Sequence, residues 1–262
     1  MALALMLLLS PFSLRAQRAR VDPAARLSQA KTLIDAGRVA DGLAEIDRAI
    51  AASSGDPEVR FEVGKLLREL AERRFAELQR LAPDSAPVRE LAGRHHELQG
   101  RLADALREYR AALALEPHRH GLHYQAGSVL WRMREIDPAE AELRVELKTN
   151  PGHGLANLRL GQVLLTRSDE KQAVTYLESA VKALPASAEA HRELGKAYRK
   201  VGRNADAQRE WELVAKTRPQ DDQVHFLLGG VYRELGKAAL AQRELATHRA
   251  ILERRRALAE KR

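Results

Sequence analysis

The side chains best suited to chemistry in this sequence are its nine histidines. His118, His120 and His123 lie within one short stretch, and His95 and His96 are adjacent. No set of Asp, Glu or His residues at i, i+3 or i+4 converges with them, as a protein metal site requires. The sequence therefore predicts no metal ion.

The sequence contains no recognisable motif for catalysis by other side chains either. The chain has no cysteine, which excludes disulfides, thiolate metal sites and cysteine nucleophiles. No serine stands in a G-x-S-x-G setting, and no glycine-rich loop could cradle a phosphate. The glutamates fall on solvated helix faces where arginines follow at i+4, as Arg73 follows Glu69. We therefore predict a non-enzymatic protein with no catalytic residue and no cofactor.

The charge balance favours some partners over others. Lys and Arg number 44 against 36 Asp and Glu, which gives a net charge of +8. A positive field mildly favours acidic partners. Nucleic acid is disfavoured, because the acidic residues are nearly as numerous as the basic ones. The oligomeric state stays open.

The N-terminus resembles a secretory signal. An apolar run from Ala2 to Leu9 precedes a Pro/Ser break and the small residue Ala16, and it is too short for a stable membrane span. Two features depart from a standard signal: no Lys or Arg precedes the run, and Leu14 replaces a small residue of the cleavage site. We expect an exported protein, periplasmic or secreted. An anchored N-terminus, a misassigned start and a cytoplasmic location are the alternatives.

The chain repeats itself every 34 residues. Glycine recurs at this spacing at Gly93, Gly127, Gly161, Gly195 and Gly229, and proline recurs at Pro83, Pro117, Pro151, Pro185 and Pro219. Such a period is the mark of a repeat architecture, in which each unit is one small supersecondary structure.

Within each unit the apolar residues have helical spacing. Leu194, Tyr198 and Val201 fall at i, i+4 and i+7, and a second set of the same kind follows after Gly202. Each unit is therefore predicted to be two antiparallel helices of about 12 to 15 residues, which would be marginal alone in water. The periodic glycine predicts a close helix crossing. We expect its other side to be formed by Ala105, Ala139, Ala173, Ala207 and Ala241.

This pattern resembles the tetratricopeptide repeat. In 188–219 the matching residues are His191, Leu194, Gly195, Tyr198, Gly202, Ala207, Trp211 and Pro219. The resemblance implies an all-α fold, a right-handed superhelix (α-solenoid) of helix-turn-helix repeats. It also places His123, His191 and His225 at the position where the family packs a large aromatic residue between helices. The resemblance therefore implies a packing role for these histidines.

One unit departs from the period. Only 19 residues separate Gly64 from Pro83, where Gly93 and Pro117 are 24 apart, and the missing residues are those of the inter-helix turn. We predict one long helix from Pro57 to Leu81, which would bend the superhelix or separate the first unit from the rest. The predicted division is a signal-like N-terminus and linker at 1–22, a degenerate helix pair at 23–56, the shortened unit at 57–85, five repeats at 86–119, 120–153, 154–187, 188–221 and 222–253, and the basic end of a capping helix at 254–262.

The resemblance implies that first helices line a concave groove that binds protein or peptide partners. The family's ligand-contacting positions correspond here to Tyr124, Ser128, Trp131, Arg132, Leu158, Arg159, Gln162, Arg192, Lys196, Arg199, Phe226 and Arg233, with Leu155, Leu165, Lys200 and Gly230 beside them. We expect an apolar stretch around exposed Trp131 and Tyr124, followed by a basic one. A ligand with apolar anchors and an acidic part would fit. The Lys/Asn set with which chaperone-binding members clamp a terminal carboxylate is absent, so we predict no such clamp.

An electrostatic binder of an anionic polymer or membrane surface is the alternative function. It would use the basic groove residues and the C-terminal arginines Arg249, Arg254, Arg255, Arg256 and Arg262. A simpler interpretation of this C-terminal segment is a cap on the last repeat. In that case Leu245, Ile251, Leu252 and Leu258 are expected to form a buried stripe.

Overall fold

The computed structural model describes residues 22–260, and the predicted signal segment lies outside the described residues except for its last position. The described chain is helical, with turns and no strand, and it divides into two compact units at Pro83 and Asp84. We call them unit 1 and unit 2. Between residues 22 and 260, no helix is both long enough and apolar enough to cross a membrane.

Unit 1 contains three helices. They are α1 (Pro23–Asp35), α2 (Val39–Ala52) and α3 (Pro57–Leu81). Helices α1 and α2 pair as a hairpin, whereas α3 continues for 25 residues without a turn, over the same range as the helix predicted from the missing residues. Ala30, Ile34 and Ile46 from the hairpin form a small core with Val63, Leu66 and Leu70 of α3.

Unit 2 is a row of five helix hairpins. Its helices are α4 (Ala86–Leu98), α5 (Leu102–Leu115), α6 (Leu122–Arg132), α7 (Ile136–Thr149), α8 (Gly154–Thr166), α9 (Glu170–Ala183), α10 (Ala188–Lys200), α11 (Asn204–Thr217), α12 (Asp222–Glu234) and α13 (Ala238–Ala259). Each first helix packs on its second helix, and each second helix packs on the next first helix. One continuous core extends from Ala86 to Ala241. Unit 2 is thus an α-solenoid.

The periodic prolines set where the second helices end. Helices α5, α7, α9 and α11 each end two residues before a proline, and the residue between is extended, with φ from −128° to −133°. A residue before proline is driven out of the helical region by the proline ring. The prolines therefore fix the length of each repeat.

The turn within each hairpin of unit 2 has a recurring backbone conformation. One residue per turn has a positive φ, and these residues are Gly100, Arg134, Ser168, Gly202 and Gly236. Glycine adopts this conformation without steric cost, whereas Arg134 and Ser168 carry a Cβ that disfavours it.

The periodic helix glycines meet large side chains. A Cβ at Gly93 would lie 2.6 Å from the ring of Tyr109, and one at Gly229 would lie 2.6 Å from Leu245. A Cβ at Gly195 would collide with the indole of Trp211. The alanine expected to face this glycine is fully buried, as at Ala207. The side chain nearest the glycine, however, belongs to the residue four positions after that alanine, as Trp211 follows Ala207. The glycine therefore makes room for a large residue.

The apolar stripe expected along the end of α13 is only partly buried. Ile251 is 6% exposed, but Leu258 is 58% exposed, so the prediction of a buried Leu258 is wrong. α13 is 22 residues long, against 14 for the other second helices of unit 2, and Leu258 lies in this extension. Arg255 pairs with Asp222 of α12 and donates to the carbonyl of Gln220 at 2.9 Å.

Candidate peptide-binding groove

Three consecutive first helices form one wall in the middle of unit 2. Helices α6, α8 and α10 lie side by side in contact. They share a cavity of about 320 Å³, which we call the central pocket. Its lining residues are Trp131, Arg159, Gln162, Leu165, Thr166, Glu193, Lys196 and Lys200. Its size is at the lower end of the range typical of ligand sites.

Helical spacing brings these side chains to the same face. On α8, Arg159, Gln162 and Thr166 follow at steps of three and four residues. On α10, Glu193, Lys196 and Lys200 repeat these steps. Thr166 and Glu193 were not among the residues expected from the family resemblance, although the same spacing from Gln162 and Lys196 could have found them.

The apolar part of the groove is less exposed than the sequence suggested. Trp131 and Tyr124 are half-buried and pack against the continuous core. The ring of Tyr124 lies 4.8 Å from that of His153. Leu158 is only 3% exposed and Ser128 8% exposed, so neither offers a surface to a ligand. The apolar surface within the central pocket is therefore Trp131 with Leu165, while Leu155, at the start of α8, is 45% exposed outside it.

The basic part of the groove is largely neutralised by neighbouring carboxylates. Each of four predicted cations has an acidic partner. The pairs are Arg132–Glu97, Arg192–Asp221, Lys196–Glu193 and Arg199–Glu234. Lys200 is a fifth case, 3.3 Å from Glu170. This pairing leaves little free positive charge for a polyanion.

The Arg199–Glu234 pair shows how such pairing changes the pKa of the acid. The Arg199 Nε lies 2.9 Å from Glu234 Oε1. This hydrogen bonding lowers the pKa of Glu234 from its ordinary value and outweighs the opposing effect of burial. Arg199 is therefore engaged with its own chain.

Arg159 differs from these paired cations. Among the described residues it has no carboxylate within ion-pair distance. Its Nη1 donates to Gln162 Oε1 at 2.7 Å, while its buried Nε has no hydrogen-bond partner in the described chain. Gln162 in turn donates to Glu189 Oε1 at 3.0 Å. The central pocket thus contains one half-satisfied guanidinium.

Phe226 and Arg233 lie outside the central pocket, on α12. Phe226 is 53% exposed, and its ring is 5.5 Å from that of His248. Arg233 is exposed and has no ion pair among the described residues. Tyr124, Arg132, Arg192 and Arg199 do not line the pocket either. The structure therefore brings together Trp131, Arg159, Gln162 and Lys196 of the predicted set.

The periodic histidines bridge the two helices of a hairpin. The Nδ1 atoms of His123, His191 and His225 lie 2.6–2.7 Å from carboxylates on the second helix. Their Nε2 atoms lie 3.0–3.3 Å from proline carbonyls at the preceding turn. The packing role implied by the resemblance thus includes a polar bridge, signalled in the sequence by an acid 19 residues later. Within residues 22–260 no group of three or more His, Asp or Glu could hold a metal ion.

The hairpin row and its shared groove define a helical-repeat protein. Comparison with known families agrees with this class, because two profiles described as tetratricopeptide repeat match residues 124–188 and 164–229. Residues 124–229 of the chain therefore consist of tetratricopeptide repeats. No curated protein sequence matches the chain significantly.

Solved structures share the fold. MamA 41-end from Desulfovibrio magneticus RS-1 superposes with a TM-score of 0.60 and 24% identity, over 64% of this chain and 95% of that one. Another MamA crystal structure gives 0.59 and 18%, over 63% and 96%. YrrB, described as a TPR protein with an unusual peptide-binding site, gives 0.60 and 21%, over 68% and 91%. At these identities the likeness concerns the fold alone.

Proposed function

We propose that the protein is a non-enzymatic scaffold that binds protein or peptide partners in the groove formed by α6, α8 and α10. The observation that carries this proposal is the central pocket, where three repeats contribute Trp131, Arg159 and Lys196 to one cavity. Aromatic and arginine side chains are the residues most often responsible for binding energy at interfaces. The peptide-binding site named for YrrB is consistent with such a use of the fold.

Site-specific photo-cross-linking in cell extract tests this proposal. A benzophenone side chain placed at Thr166, which lines the pocket, is expected to cross-link discrete partners. The matched control places it at Leu213 on α11, which is 42% exposed and is not among the lining residues. Equal cross-linking from both positions would contradict the proposal.

Variants of two groove residues test whether the Thr166 cross-links depend on the groove. Trp131→Ala is expected to abolish the Thr166 cross-links because it removes the main apolar anchor. Trp131 also packs on the core, so Lys196→Glu serves as a second variant, and circular dichroism checks that both are folded. Unchanged cross-links in both folded variants would overturn the assignment of the groove.

We also propose export of the chain, on the apolar run and Ala16 near the N-terminus. Mass-spectrometric sequencing of the protein purified from its own cells is expected to find a new N-terminus after Ala16. An intact Met1 on protein in the cytoplasmic fraction would contradict export.

A further inference from the structure

We infer that the central pocket recognises an acidic side chain next to an aliphatic or aromatic one within a partner peptide. This inference rests on the proposed function and adds the chemistry of its ligand. The carboxylate would bind Arg159, and the neighbouring apolar side chain would pack on Trp131 and Leu165.

The unmet needs of Arg159 carry the acidic half of the inference. Its guanidinium has a neutral partner, Gln162, on one nitrogen and a buried, unpartnered Nε among the described residues. Arg159 is partly buried and lacks a counter-ion among the described residues, and a carboxylate satisfies a guanidinium with two parallel hydrogen bonds. Arg192 also has a buried Nε without a partner among the described residues, but Arg192 and Arg199, one repeat further on, already hold Asp221 and Glu234.

The other cations of the pocket are already paired within the chain. Lys196 and Glu193 are 2.8 Å apart and cancel one another. Lys200 lines the pocket as well and lies 3.3 Å from Glu170. The positive charge left for a ligand carboxylate is therefore that of Arg159.

The apolar wall argues for a peptide and against a polyanion. Trp131 and Leu165 line the same cavity as Arg159, so one ligand must present both an apolar and an acidic group. Polyanions bind through many unpaired cations at once. Here most groove cations are paired within the chain.

Selection from a random peptide library displayed on phage, with the full chain as bait, tests the inference. The peptides are fused at their C-terminus, so no free terminal carboxylate can contribute. Binders that are lost on the Trp131→Ala and Lys196→Glu chains are groove binders. We expect them to be enriched in Asp or Glu beside Leu, Ile or Phe.

Selected peptides are then synthesised with amidated C-termini and measured by fluorescence anisotropy. Arg159→Gln is expected to weaken binding by about tenfold or more, as is Asp→Asn or Glu→Gln in the peptide. The matched control is Arg110→Gln on α5, an exposed arginine outside the pocket, which should leave the affinity unchanged. The peptide substitution tests the same contact with the unaltered protein, so its result does not depend on whether a protein variant folds.

The outcomes separate the two proposals. Groove binders without acidic enrichment, or with affinity unaffected by Arg159→Gln and by the peptide substitution, overturn the inference and leave the groove function standing. Recovery of no groove binder overturns both. Acidic enrichment with loss on Arg159→Gln supports both.

Discussion

Helix glycines have different surroundings in α3 of unit 1 and in the hairpins of unit 2. In unit 2, Gly195 faces Trp211 so closely that a Cβ would collide with the indole. In unit 1, Gly64 lies within the unbroken helix α3, and a Cβ there would meet no described neighbour outside its own turn within 4 Å. Loss of the turn removes the second helix that would otherwise fold back on this glycine. A repeat glycine thus matters only where a hairpin closes over it.

The cores differ accordingly. The unit 2 core is continuous over successive hairpins, whereas unit 1 has a small cluster between α1, α2 and α3. Each hairpin in unit 2 covers its neighbour, and this stacking holds α6, α8 and α10 in register for the groove.

The largest expected effect comes from the core of unit 2. Trp211→Ala removes a fully buried indole and its hydrogen bond to the Arg192 carbonyl, and we expect a loss of about 3–5 kcal/mol in the free energy of unfolding. Leu66→Ala in unit 1 should cost about 2 kcal/mol, since Leu66 is 7% exposed in a small cluster. Urea denaturation followed by circular dichroism measures both. Equal losses would break the comparison.

One substitution made in both units should have opposite signs. Gly195→Ala forces Trp211 to move and is expected to lower stability by about 1–2 kcal/mol. Gly64→Ala has room and removes a helix-destabilising glycine, so it should raise stability by about 1 kcal/mol. Thermal and urea melts decide this, and stabilisation by both changes would show that the hairpin contact is unimportant.

A smaller pair of changes concerns the hairpin turns. Ser168 has a φ of 59° in unit 2, and Gly37 has a φ of 81° in unit 1. Ser168→Gly should raise stability by about 0.5–1 kcal/mol, and Gly37→Ser should lower it by a similar amount. Ser179→Gly within α9 is the control and should be destabilising. A gain from Gly37→Ser in urea melts would disprove the strain argument.

The smallest expected effect on stability at neutral pH comes from the tyrosines, all five of which lie in unit 2. Burial, together with an adjacent carboxylate that accepts a hydrogen bond from the phenol, raises the pKa of Tyr109, Tyr198 and Tyr232. Because the folded state holds these protons more tightly, their contribution to stability is present below about pH 10 and is lost as the pH rises above it.

Ultraviolet titration of the phenolates measures this effect. Tyr198→Phe should leave the absorbance of the folded protein slightly above pH 10 unchanged, yet reduce that of the urea-unfolded protein. A loss of folded-state absorbance in Tyr198→Phe would mean that this phenol ionises normally.

Much of the fold followed from the sequence because glycine and proline act locally. Pro117 and its equivalents end helices through the backbone of one preceding residue, and the absent turn before Pro83 leaves α3 unbroken. These effects need no knowledge of distant neighbours. The family resemblance then supplied how hairpins stack.

The site followed less completely because exposure and pairing depend on neighbouring repeats. Leu158 stands at a groove position but is covered by its surroundings. Arg192 is paired with Asp221, 29 residues later, so its availability could not be judged from its own helix. The same holds for Arg159, because only the structure shows that its Nε has no partner among the described residues.

The central claim is that stacked hairpins give unit 2 a shared core that unit 1 lacks. Hydrogen exchange of the full chain, followed by mass spectrometry, tests it most directly. Helix α8 buries eight residues and α1 buries two, so amides of α8 to α11 should exchange slowest and those of α1 to α3 much faster. Equal or greater protection in α1 to α3 would contradict the account.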